Sequence, residues 1–323
     1  MSLAGKSVLV TGGAGFIGSH LVDRIIQDAP ANLVVVDNFF LGSESNLIEA
    51  RRAFPALKVY RLDASDLAMM DQLVADEQIE VVFNLAVIPL PTSLLHPVWT
   101  INTNIGIALT FCEIARRGRI KTLVQCSSSE AYGTAMYIPM DEKHPLIPTT
   151  PYAASKSAGD EILLSYAETF GIDAVIVRPF NNFGPRQNWG SYAGIIPIVI
   201  QKIASGEPVE IYGDGEQTRD YIFVRDTVDA IVRVYEQEST RGKAINIATG
   251  CEISINKLVA DILRNAGAAD HPVIHAAERP GDVRRHCGDV GLAQQLIGFQ
   301  PSPINDEKLR ETIQWYVNHR HEA

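Results

Sequence analysis

The feature that most constrains the fold of this chain is a glycine-rich turn between an apolar run and a helical pattern. Residues 7–12 read SVLVTG without polar–apolar alternation, as expected of a parallel strand buried on both faces. Gly12, Gly15 and Gly18 follow at intervals of three residues and open the helical pattern SHLVDRIIQ. Glycine permits a tight turn, a close approach of the backbone to a pyrophosphate and close helix–strand packing. The sequence therefore predicts a βα unit whose helix N-terminus faces the phosphates of a dinucleotide.

A second apolar run ends in an acid at the distance from these glycines that suits a dinucleotide site. The run LVVVDN contains Asp37, 19 residues after Gly18. A carboxylate at this point suits the ribose hydroxyls of NAD and repels the 2′-phosphate of NADP. Because strand, glycines, helix, strand and acid occur in this order, we predict NAD as the cofactor. Phe16 and Ile17 of the glycine turn, and Asn38 beside the acid, join the predicted cofactor-binding residues.

Strand and helix patterns alternate through the first half of the chain. The further predicted strands cover 58–65, 81–87, 122–128 and 173–180. Helical patterns between them cover 66–77, 98–117 and a stretch that carries Tyr152 and ends near Phe170. This order predicts an α/β fold with a doubly wound parallel sheet, the Rossmann architecture, whose ligands bind at the carboxyl ends of the strands. The residues near those ends that we expect to share one site are Gly12, Asp37, Asp63, Asn84 and Ser127.

The character of the sequence changes near residue 180. The stretch 181–194 is rich in glycine, asparagine and aromatic residues, which is typical of a functional loop. A helix (IIPIVIQKIAS), a short strand (VEIYG), the loop DGEQTRD and two further helical patterns follow. We predict an NAD-binding Rossmann domain over 1–178 and a smaller C-terminal substrate-binding lobe over 179–323. The run AINIATG, at 244–250, is expected to return to the Rossmann sheet.

Composition and charge argue against several classes of function. The 323 residues carry a net charge of −10 without a basic run, which argues against DNA or RNA as a partner. The longest apolar runs are too short to span a membrane, and the chain begins with a strand pattern rather than a signal peptide. Its four cysteines stand far apart, so neither a metal site nor a disulfide framework is expected. A reducing cytoplasm is the expected compartment.

Tyr152 and Lys156 form the centre of a predicted acid/base site in the run PYAASKSAG. Residues four apart on a helix share a face, so the ammonium of Lys156 is expected to lower the pKa of the Tyr152 phenol, which is ordinarily about 10. The phenolate then takes a proton from a substrate hydroxyl, and the hydroxyl of Ser128 relays it. The same spacing also arises by chance on surface helices, so the dinucleotide motif is what gives the pair its significance.

These segments together resemble the extended short-chain dehydrogenases/reductases of the nucleotide-sugar epimerase/dehydratase group. The similar segments are TGGAGFIGSH, PYAASK, RPFNNFGPRQ, GDGEQTRDYIFVRD and RPGDVR, which together span nearly the whole chain. The resemblance implies a nucleoside-diphosphate sugar as the substrate. It also implies a homodimer held by a four-helix bundle to which 98–117 and 157–168 contribute, although core packing explains their apolar positions equally well.

The resemblance extends the set of predicted site residues. Asp63 matches an acid near the adenine, and Asn104 matches a helical asparagine of the family. The predicted cofactor-binding residues are Gly12, Gly15, Phe16, Ile17, Gly18, Asp37, Asn38, Asp63, Ala64, Leu85, Ala86, Asn104, Tyr152 and Lys156. The predicted catalytic residues are Ser128, Glu130, Tyr152 and Lys156. One departure is NLAV at 84–87, where the family often has H-x-A-A.

The residues predicted to hold the substrate lie mostly in the second half. By resemblance they are Ser128, Asn181, Arg219, Arg279 and Asp282. Arginine suits this role because it binds a diphosphate through two parallel hydrogen bonds and keeps its charge when partly buried. The alternative for Arg219 and Arg279 is ordinary ion pairing at the surface.

Oxidation of the sugar at carbon 4 is the expected first step. Tyr152 takes the proton of the 4-hydroxyl while the hydride leaves carbon 4 for NAD, and Ser128 hydrogen-bonds the same oxygen. The resulting 4-keto sugar has three possible fates. Hydride return to its other face is 4-epimerisation, loss of the carbon 5 proton and the 6-hydroxyl is 4,6-dehydration, and loss of carbon dioxide from a uronic acid is decarboxylation.

Glu130 makes 4,6-dehydration the favoured prediction, because a carboxylate two residues after Ser128 is able to reach carbon 5. The string SSSEAYG resembles GDP-mannose 4,6-dehydratases and nucleotide-uronate decarboxylases, whereas Ser129 departs from the aspartate of dTDP-glucose 4,6-dehydratases. A 4-epimerase of the UDP-glucose or UDP-GlcNAc type is the alternative, and a decarboxylase ranks below it. A structural role for Glu130 in the following loop also remains open. A non-catalytic dinucleotide-binding module ranks last, because it has no use for the catalytic residues.

Overall fold

The computed structural model describes residues 1–189, 193–278 and 283–319. The strands are β1 Ser7–Thr11, β2 Asn32–Asp37, β3 Lys58–Arg61, β4 Val81–Asn84, β5 Thr122–Cys126, β6 Ala174–Pro179, β7 Asn181–Phe183, β8 Val209–Tyr212, β9 Thr218–Phe223, β10 Ala244–Ile247, β11 Glu252–Ser254 and β12 Val273–Ala276. The helices are α1 Phe16–Ile26, α2 Ile48–Ala53, α3 Leu67–Asp76, α4 Leu90–Leu95, α5 Pro97–Arg116, α6 Pro151–Phe170, α7 Ile195–Ser205, α8 Val224–Glu236, α9 Ile255–Asn265, α10 Gly291–Ile297 and α11 Asp306–Asn318.

Within these ranges, seven strands form a sheet in the order β10-β6-β5-β4-β1-β2-β3. All neighbouring strands run parallel, and β1 and β5 are buried along their whole length. The predicted doubly wound α/β sheet is therefore confirmed. The chain moves from β1 through β2 to β3 on one side, and from β4 through β5 to β6 on the other. The order reverses between β1 and β4, which is where an open α/β sheet has its ligand-binding crevice.

Helices cover both faces of this sheet. On one face, α1, α8 and α10 enclose a buried core that includes Val10, Leu21 and Ile231. On the other face, α3, α5 and α6 enclose a second core that includes Phe111 and Leu163. Because α8 and α10 come from the second half of the sequence, both halves of the chain build the core of the sheet. None of the helices in the described ranges combines the length and the apolar character that a membrane-spanning segment needs.

The start of α6 fixes the position of the tyrosine that the sequence singled out. The side chain of Thr150 accepts a hydrogen bond from the N–H of Ala153 at 3.1 Å, and Pro151 occupies the first helical position. Threonine caps and proline at the first position both favour a helix start at this point. Tyr152 is thereby placed in the first turn of α6, next to the carboxyl end of β5.

The second half of the chain adds two small sheets and a third core. Among the described residues, β11, β9 and β7 form a three-stranded sheet, and β12 pairs with β8. Their apolar side chains pack with α7, α9 and α11 around Val199, Leu258 and Tyr316. The segment 244–250 contains β10, which pairs in parallel with β6 at the edge of the large sheet.

Two segments predicted as loops contain strands, and these predictions were wrong. The stretch 181–194 begins with β7, and the end of DGEQTRD forms the start of β9. The second strand was missed because its polar residues are typical of a loop. Asp220 is nevertheless fully buried there, where it accepts hydrogen bonds from the N–H groups of Thr249 and Gly250. Strands β11 and β12 and helices α10 and α11 carried too weak a pattern to be predicted.

Candidate active site

A cleft of about 530 Å³ opens at the carboxyl ends of the strands, where the sheet order reverses. The glycine turn after β1 and the residues after β2 and β3 line one part of it. The segment after β4, the residues after β5 and the start of α6 line the middle. Asn181, Ile195 and Tyr221 close it from the second half of the chain.

The glycine turn is shaped by close backbone contacts. Gly12 has a left-handed backbone with φ of +66°, and a Cβ there would lie 2.9 Å from the backbone N of Ala86. A Cβ at Gly18 would overlap the carbonyl oxygen of Gly12, so the first turn of α1 packs directly on the glycine turn. Gly15 is the N-cap of α1 and lines the cleft together with Phe16. This arrangement fits a pyrophosphate, because unpaired N–H groups at a helix start bind anions.

Asp37 lies at the end of β2 and is only 7% exposed. Its carboxylate accepts hydrogen bonds from the N–H of Ala14 at 3.0 Å and of Phe39 at 2.8 Å. Burial raises its pKa above the ordinary value, and these two hydrogen bonds act in the opposite direction. A carboxylate has about four acceptor sites, so Asp37 keeps capacity for the two hydroxyls of a ribose.

The neighbouring predicted residues form the wall beyond Asp37. Asn38, Asp63 and Ala64 line the same cleft, as do Leu85 and Ala86 after β4. The carboxylate of Asp63 accepts the backbone N–H of Ser65 at 2.9 Å, which fixes the turn after β3. Phe40, Leu41 and Gly42 also line this part, although sequence reasoning did not select them. Their position directly after Asp37 was the signal that could have identified them.

The four predicted catalytic residues, Ser128, Glu130, Tyr152 and Lys156, all line the cleft. Ser128 follows β5 and caps the short 3-10 helix Ser129–Tyr132, with its side chain accepting the N–H of Glu130 at 3.2 Å. The ammonium of Lys156 is buried and donates to the carbonyl oxygen of Cys126 at 2.6 Å. The structure therefore brings the phenol, the ammonium, the hydroxyl and the carboxylate to one place.

The pKa of Tyr152 differs from the sequence-based expectation. Burial is the largest influence and raises the pKa of the phenol, while the hydrogen bond with Ser128 lowers it. Burial also lowers the pKa of Lys156 from its usual range. The expected acidification of Tyr152 by Lys156 is thus not the dominant influence in this structure. Desolvation opposes it, because a low-dielectric site disfavours both charged forms.

The cleft lining does not include Asn104 or Arg219. Asn104 is buried in α5, accepts the N–H of Ile88 at 2.7 Å and donates to the hydroxyl of Ser155 at 2.9 Å. It holds the segment after β4 against α6, behind the lining of the cleft. Arg219 donates hydrogen bonds to the carbonyl oxygen of Thr218, which lies on β9, and to that of Val283. Arg279 and Asp282 lie outside the described residues.

The string NLAV at 84–87 ends β4 with Asn84 and leads into the cleft. Asn84 is buried below the cleft, where its amide donates to Gln125 at 2.7 Å and accepts from Thr11. Val87 and Ile88 line the cleft above it, and Leu90 opens α4 there. Residues of the second half that sequence reasoning did not select, among them Gln187 and Asn188, also line the cleft. Both belong to or directly follow the string RPFNNFGPRQ, which was the available signal.

Metal binding has no support in the part of the chain that the structure describes. It contains no group of three or more histidine, cysteine, aspartate or glutamate side chains placed to hold an ion. The reacting groups of the cleft are instead a phenol, an ammonium, a hydroxyl and a carboxylate.

Comparisons with known proteins identify the same family throughout. The sequence model of the NAD dependent epimerase/dehydratase family matches residues 8–248. The chain is 35% identical to a UDP-glucose 4-epimerase of Mycolicibacterium smegmatis over 314 residues, covering 96% of this chain and 98% of the relative. It is 33% identical to a dTDP-glucose 4,6-dehydratase of Streptomyces griseus over 319 residues, covering 97% and 94%. Among solved structures, a UDP-N-acetylglucosamine 4-epimerase from Methanobrevibacter ruminantium M1, in complex with UDP-N-acetylmuramic acid, superposes with a TM-score of 0.90 at 35% identity, covering 98% and 99%.

Proposed function

Because the chain belongs to the NAD-dependent epimerase/dehydratase family and is an NAD-dependent nucleotide-sugar enzyme, we propose that its reaction is 4,6-dehydration of a nucleotide sugar. The observation that carries this proposal is the position of Glu130. Its carboxylate lines the same cleft as Ser128 and Tyr152 and follows the serine by two residues. A 4-epimerase needs no such group, whereas a dehydratase needs a base at carbon 5.

The part of the cleft between the glycine turn and Asp37 would hold the cofactor. The first turn of α1 would bind the pyrophosphate, and Asp37 would accept hydrogen bonds from the adenosine ribose. Tyr152 and Lys156 lie at the opposite, nicotinamide end. When bound there, NAD supplies the redox chemistry, since it accepts a hydride from carbon 4 and later returns it to the sugar.

The protein's own groups move the protons. Tyr152 takes the proton of the 4-hydroxyl, and Ser128 donates a hydrogen bond to the same oxygen as it becomes a ketone. The ketone acidifies the proton on carbon 5, and the carboxylate of Glu130 removes it. The carbon–oxygen bond at carbon 6 then breaks, and the 6-hydroxyl leaves as water with that proton. The resulting double bond is closed when carbon 6 takes back the hydride and carbon 5 takes up a proton, equivalent to the one that Tyr152 removed from the 4-hydroxyl. Burial of the site favours these steps, because it excludes bulk water from the keto intermediate.

The buried phenol of Tyr152 requires a source of positive charge for this role. Lys156 provides it, since its ammonium lies one helical turn away on the same face and is held by the carbonyl of Cys126. An oxidised nicotinamide adds a second positive charge when bound. Both charges oppose the effect of burial on the pKa of Tyr152.

Mass spectrometry of products from UDP-, GDP-, CDP- and dTDP-sugars tests the reaction. The proposal predicts loss of one water molecule from one of these substrates. The Glu130→Gln variant should still oxidise carbon 4, visible as transient reduced cofactor, but yield no dehydrated product. Glu161→Gln is the matched control, because this exposed carboxylate lies on α6 outside the cleft lining.

A nucleotide-sugar 4-epimerase is the second candidate. The relatives at 35% identity, one by sequence and one by structure, carry 4-epimerase names and support it. A product of unchanged mass and altered chromatographic retention, formed equally by Glu130→Gln, would establish this reaction instead. Loss of carbon dioxide from a nucleotide uronate would identify a decarboxylase.

We also propose that the chain forms a homodimer through α5 and α6, which pack against each other. Ile101, Ile105 and Leu109 form a stripe on α5 at helical spacing, and Leu109 is exposed. Ile162 of α6 is half-buried beside this pair of helices. Light scattering coupled to size exclusion should give a dimer for the native chain and a monomer for Leu109→Glu. A native monomer would rule the dimer out.

A further inference from the structure

A buried ion pair lies directly behind the catalytic groups. The side chains of Asp160 on α6 and Arg178 on β6 are 1% and 3% exposed. The Nε of Arg178 donates to a carboxylate oxygen of Asp160 at 2.8 Å. The hydroxyl of Ser127 donates to the same oxygen, also at 2.8 Å. This pair therefore contacts the residue that immediately precedes Ser128.

Arg178 extends the network to a second segment. Its Nη1 donates to the hydroxyl of Tyr132 at 3.1 Å, and its guanidinium lies 4.9 Å from the centre of the Tyr132 ring. The Tyr132 hydroxyl donates to Asn246 of β10 at 2.7 Å. Tyr132 ends the 3-10 helix that carries Glu130.

The third connection runs along α6. Tyr152, Lys156 and Asp160 follow one another at intervals of four residues and so share one face of the helix. The network thus reaches every segment that carries a catalytic group, through Ser127, Tyr132 and Asp160. It ends on Asn246, whose side chain also donates to the carbonyl of Met140 at 3.0 Å.

Stability alone does not explain such a pair. Removing two charges from water is costly, and well-packed apolar residues often replace a buried ion pair without loss of stability. Here Asp160 contributes a negative charge that acts on both catalytic residues of α6. It raises the pKa of Lys156 against the effect of burial and also raises the pKa of Tyr152. The positive charge of Arg178 counters the negative charge of Asp160.

On the basis of the proposed function, we propose that Asp160 and Arg178 are positioning residues that align Ser128, Glu130 and Lys156 and balance the charge around Tyr152. Two effects follow from this arrangement. Hydrogen bonds that join the pair to the side chains of Ser127 and Tyr132 hold the chain on either side of Ser128. The opposite charges of the pair leave Lys156 as the net positive charge beside the phenol.

Other groups that face Tyr152 belong to neighbouring elements. The thiol of Cys126 on β5 and the carboxylate of Glu130 raise the pKa of Tyr152, as Asp160 does. Ser128 lowers it through its hydrogen bond. The carboxylate of Glu113 on α5 accepts a hydrogen bond from the hydroxyl of Tyr166 at 2.7 Å, near the far end of α6. Asp160 and Arg178 carry opposite charges, so removal of one or the other should shift the pH dependence of kcat in opposite directions.

The test is the pH dependence of kcat for two variants that remove opposite charges. The rate rises with pH as Tyr152 loses its proton. Asp160→Asn removes a negative charge and should move this rise to lower pH by at least about half a unit. Arg178→Met removes a positive charge and should move it to higher pH by a similar amount. Arg178→Lys keeps the positive charge but lacks the guanidinium that bonds both Asp160 and Tyr132. The rate should therefore rise at the same pH as in the native enzyme, while the maximal kcat falls.

Controls separate this proposal from a structural role and from the proposed function. Asp261→Asn removes a carboxylate that is 13% exposed and pairs with the exposed Lys257 and Arg264 on α9, away from the cleft, and it should leave the profile unchanged. Superimposable profiles of native enzyme, Asp160→Asn and Arg178→Met would overturn the positioning role while leaving the function intact. Full activity of Tyr152→Phe would instead overturn the function itself. If Asp160→Asn does not fold, the contrast between Arg178→Met and Arg178→Lys decides alone.

Discussion

Alanine at Gly12 should destabilise the protein more than alanine at Gly118, although the two glycines have nearly the same backbone conformation. Their φ values are +66° and +68°. A left-handed conformation costs a residue with a side chain about 1–2 kcal/mol, and this cost applies equally at both positions. Any difference between the two variants therefore reports the surroundings of the new Cβ.

Those surroundings differ sharply. At Gly118 the new Cβ has no heavy atom within 4 Å. At Gly12 it would lie 2.9 Å from backbone atoms of both Leu85 and Ala86, which cannot move aside as a flexible side chain does. Overpacking of this kind costs about 1–3 kcal/mol in addition to the strain. We expect losses of about 1–2 kcal/mol for Gly118→Ala and of about 2–5 kcal/mol for Gly12→Ala.

Urea unfolding with and without NAD measures both effects. A ligand present at a hundred times its Kd stabilises the folded state by about 2.7 kcal/mol. The native protein and Gly118→Ala should gain this amount, whereas Gly12→Ala should gain much less, because Leu85 and Ala86 line the cleft. Equal losses for the two variants, or an undiminished gain from NAD in Gly12→Ala, would refute the argument that backbone crowding shapes this turn.

The other predictions concern single side chains. Tyr152→Phe should abolish turnover while NAD still binds, as measured by product formation and calorimetric titration; a loss of NAD binding would assign the phenol to the cofactor instead. Asp37→Asn should weaken NAD binding about tenfold or more and narrow the preference over NADP, because a charged hydrogen bond contributes about 1.5–3 kcal/mol. Burial lowers the pKa of His286 to about 4 from 6.5, so the unfolded state binds the extra proton and stability should fall from pH 6.5 to 4 by up to about 3 kcal/mol. His286→Gln should flatten this part of the stability curve, and an unchanged curve would show that other groups cause the loss.

The elements that the sequence predicted are those with local signals. The apolar runs of β1 and β5 are recognisable because both of their faces are buried. The glycine turn is recognisable because the left-handed backbone at Gly12 and the close packing at Gly18 both favour glycine. Tyr152 and Lys156 follow from helical spacing. Each of these signals lies within a few residues of the feature that it predicts.

The parts that the sequence did not predict depend on contacts between distant segments. Asp220 looks like a loop residue until Thr249 and Gly250 supply its hydrogen bonds. Asn104 has a residue type that suits a cofactor contact, but its partners Ile88 and Ser155 place it behind the wall of the cleft. The pKa of Tyr152 likewise depends on burial by surrounding elements, which residue spacing does not reveal.

The position of β10 connects the two halves of the chain to the chemistry. It pairs with β6 at the sheet edge, and its Asn246 accepts the hydroxyl of Tyr132 from the opposite end of the buried network. Helix α8, which precedes β10, and helix α10, which comes later in the chain, fill the core beside α1. A segment that returns to the sheet in this way does more than complete the fold, because it fixes the far end of a network that reaches Ser127 and Asp160. The second half of the chain therefore supports the catalytic groups from behind as well as closing the cleft from the front.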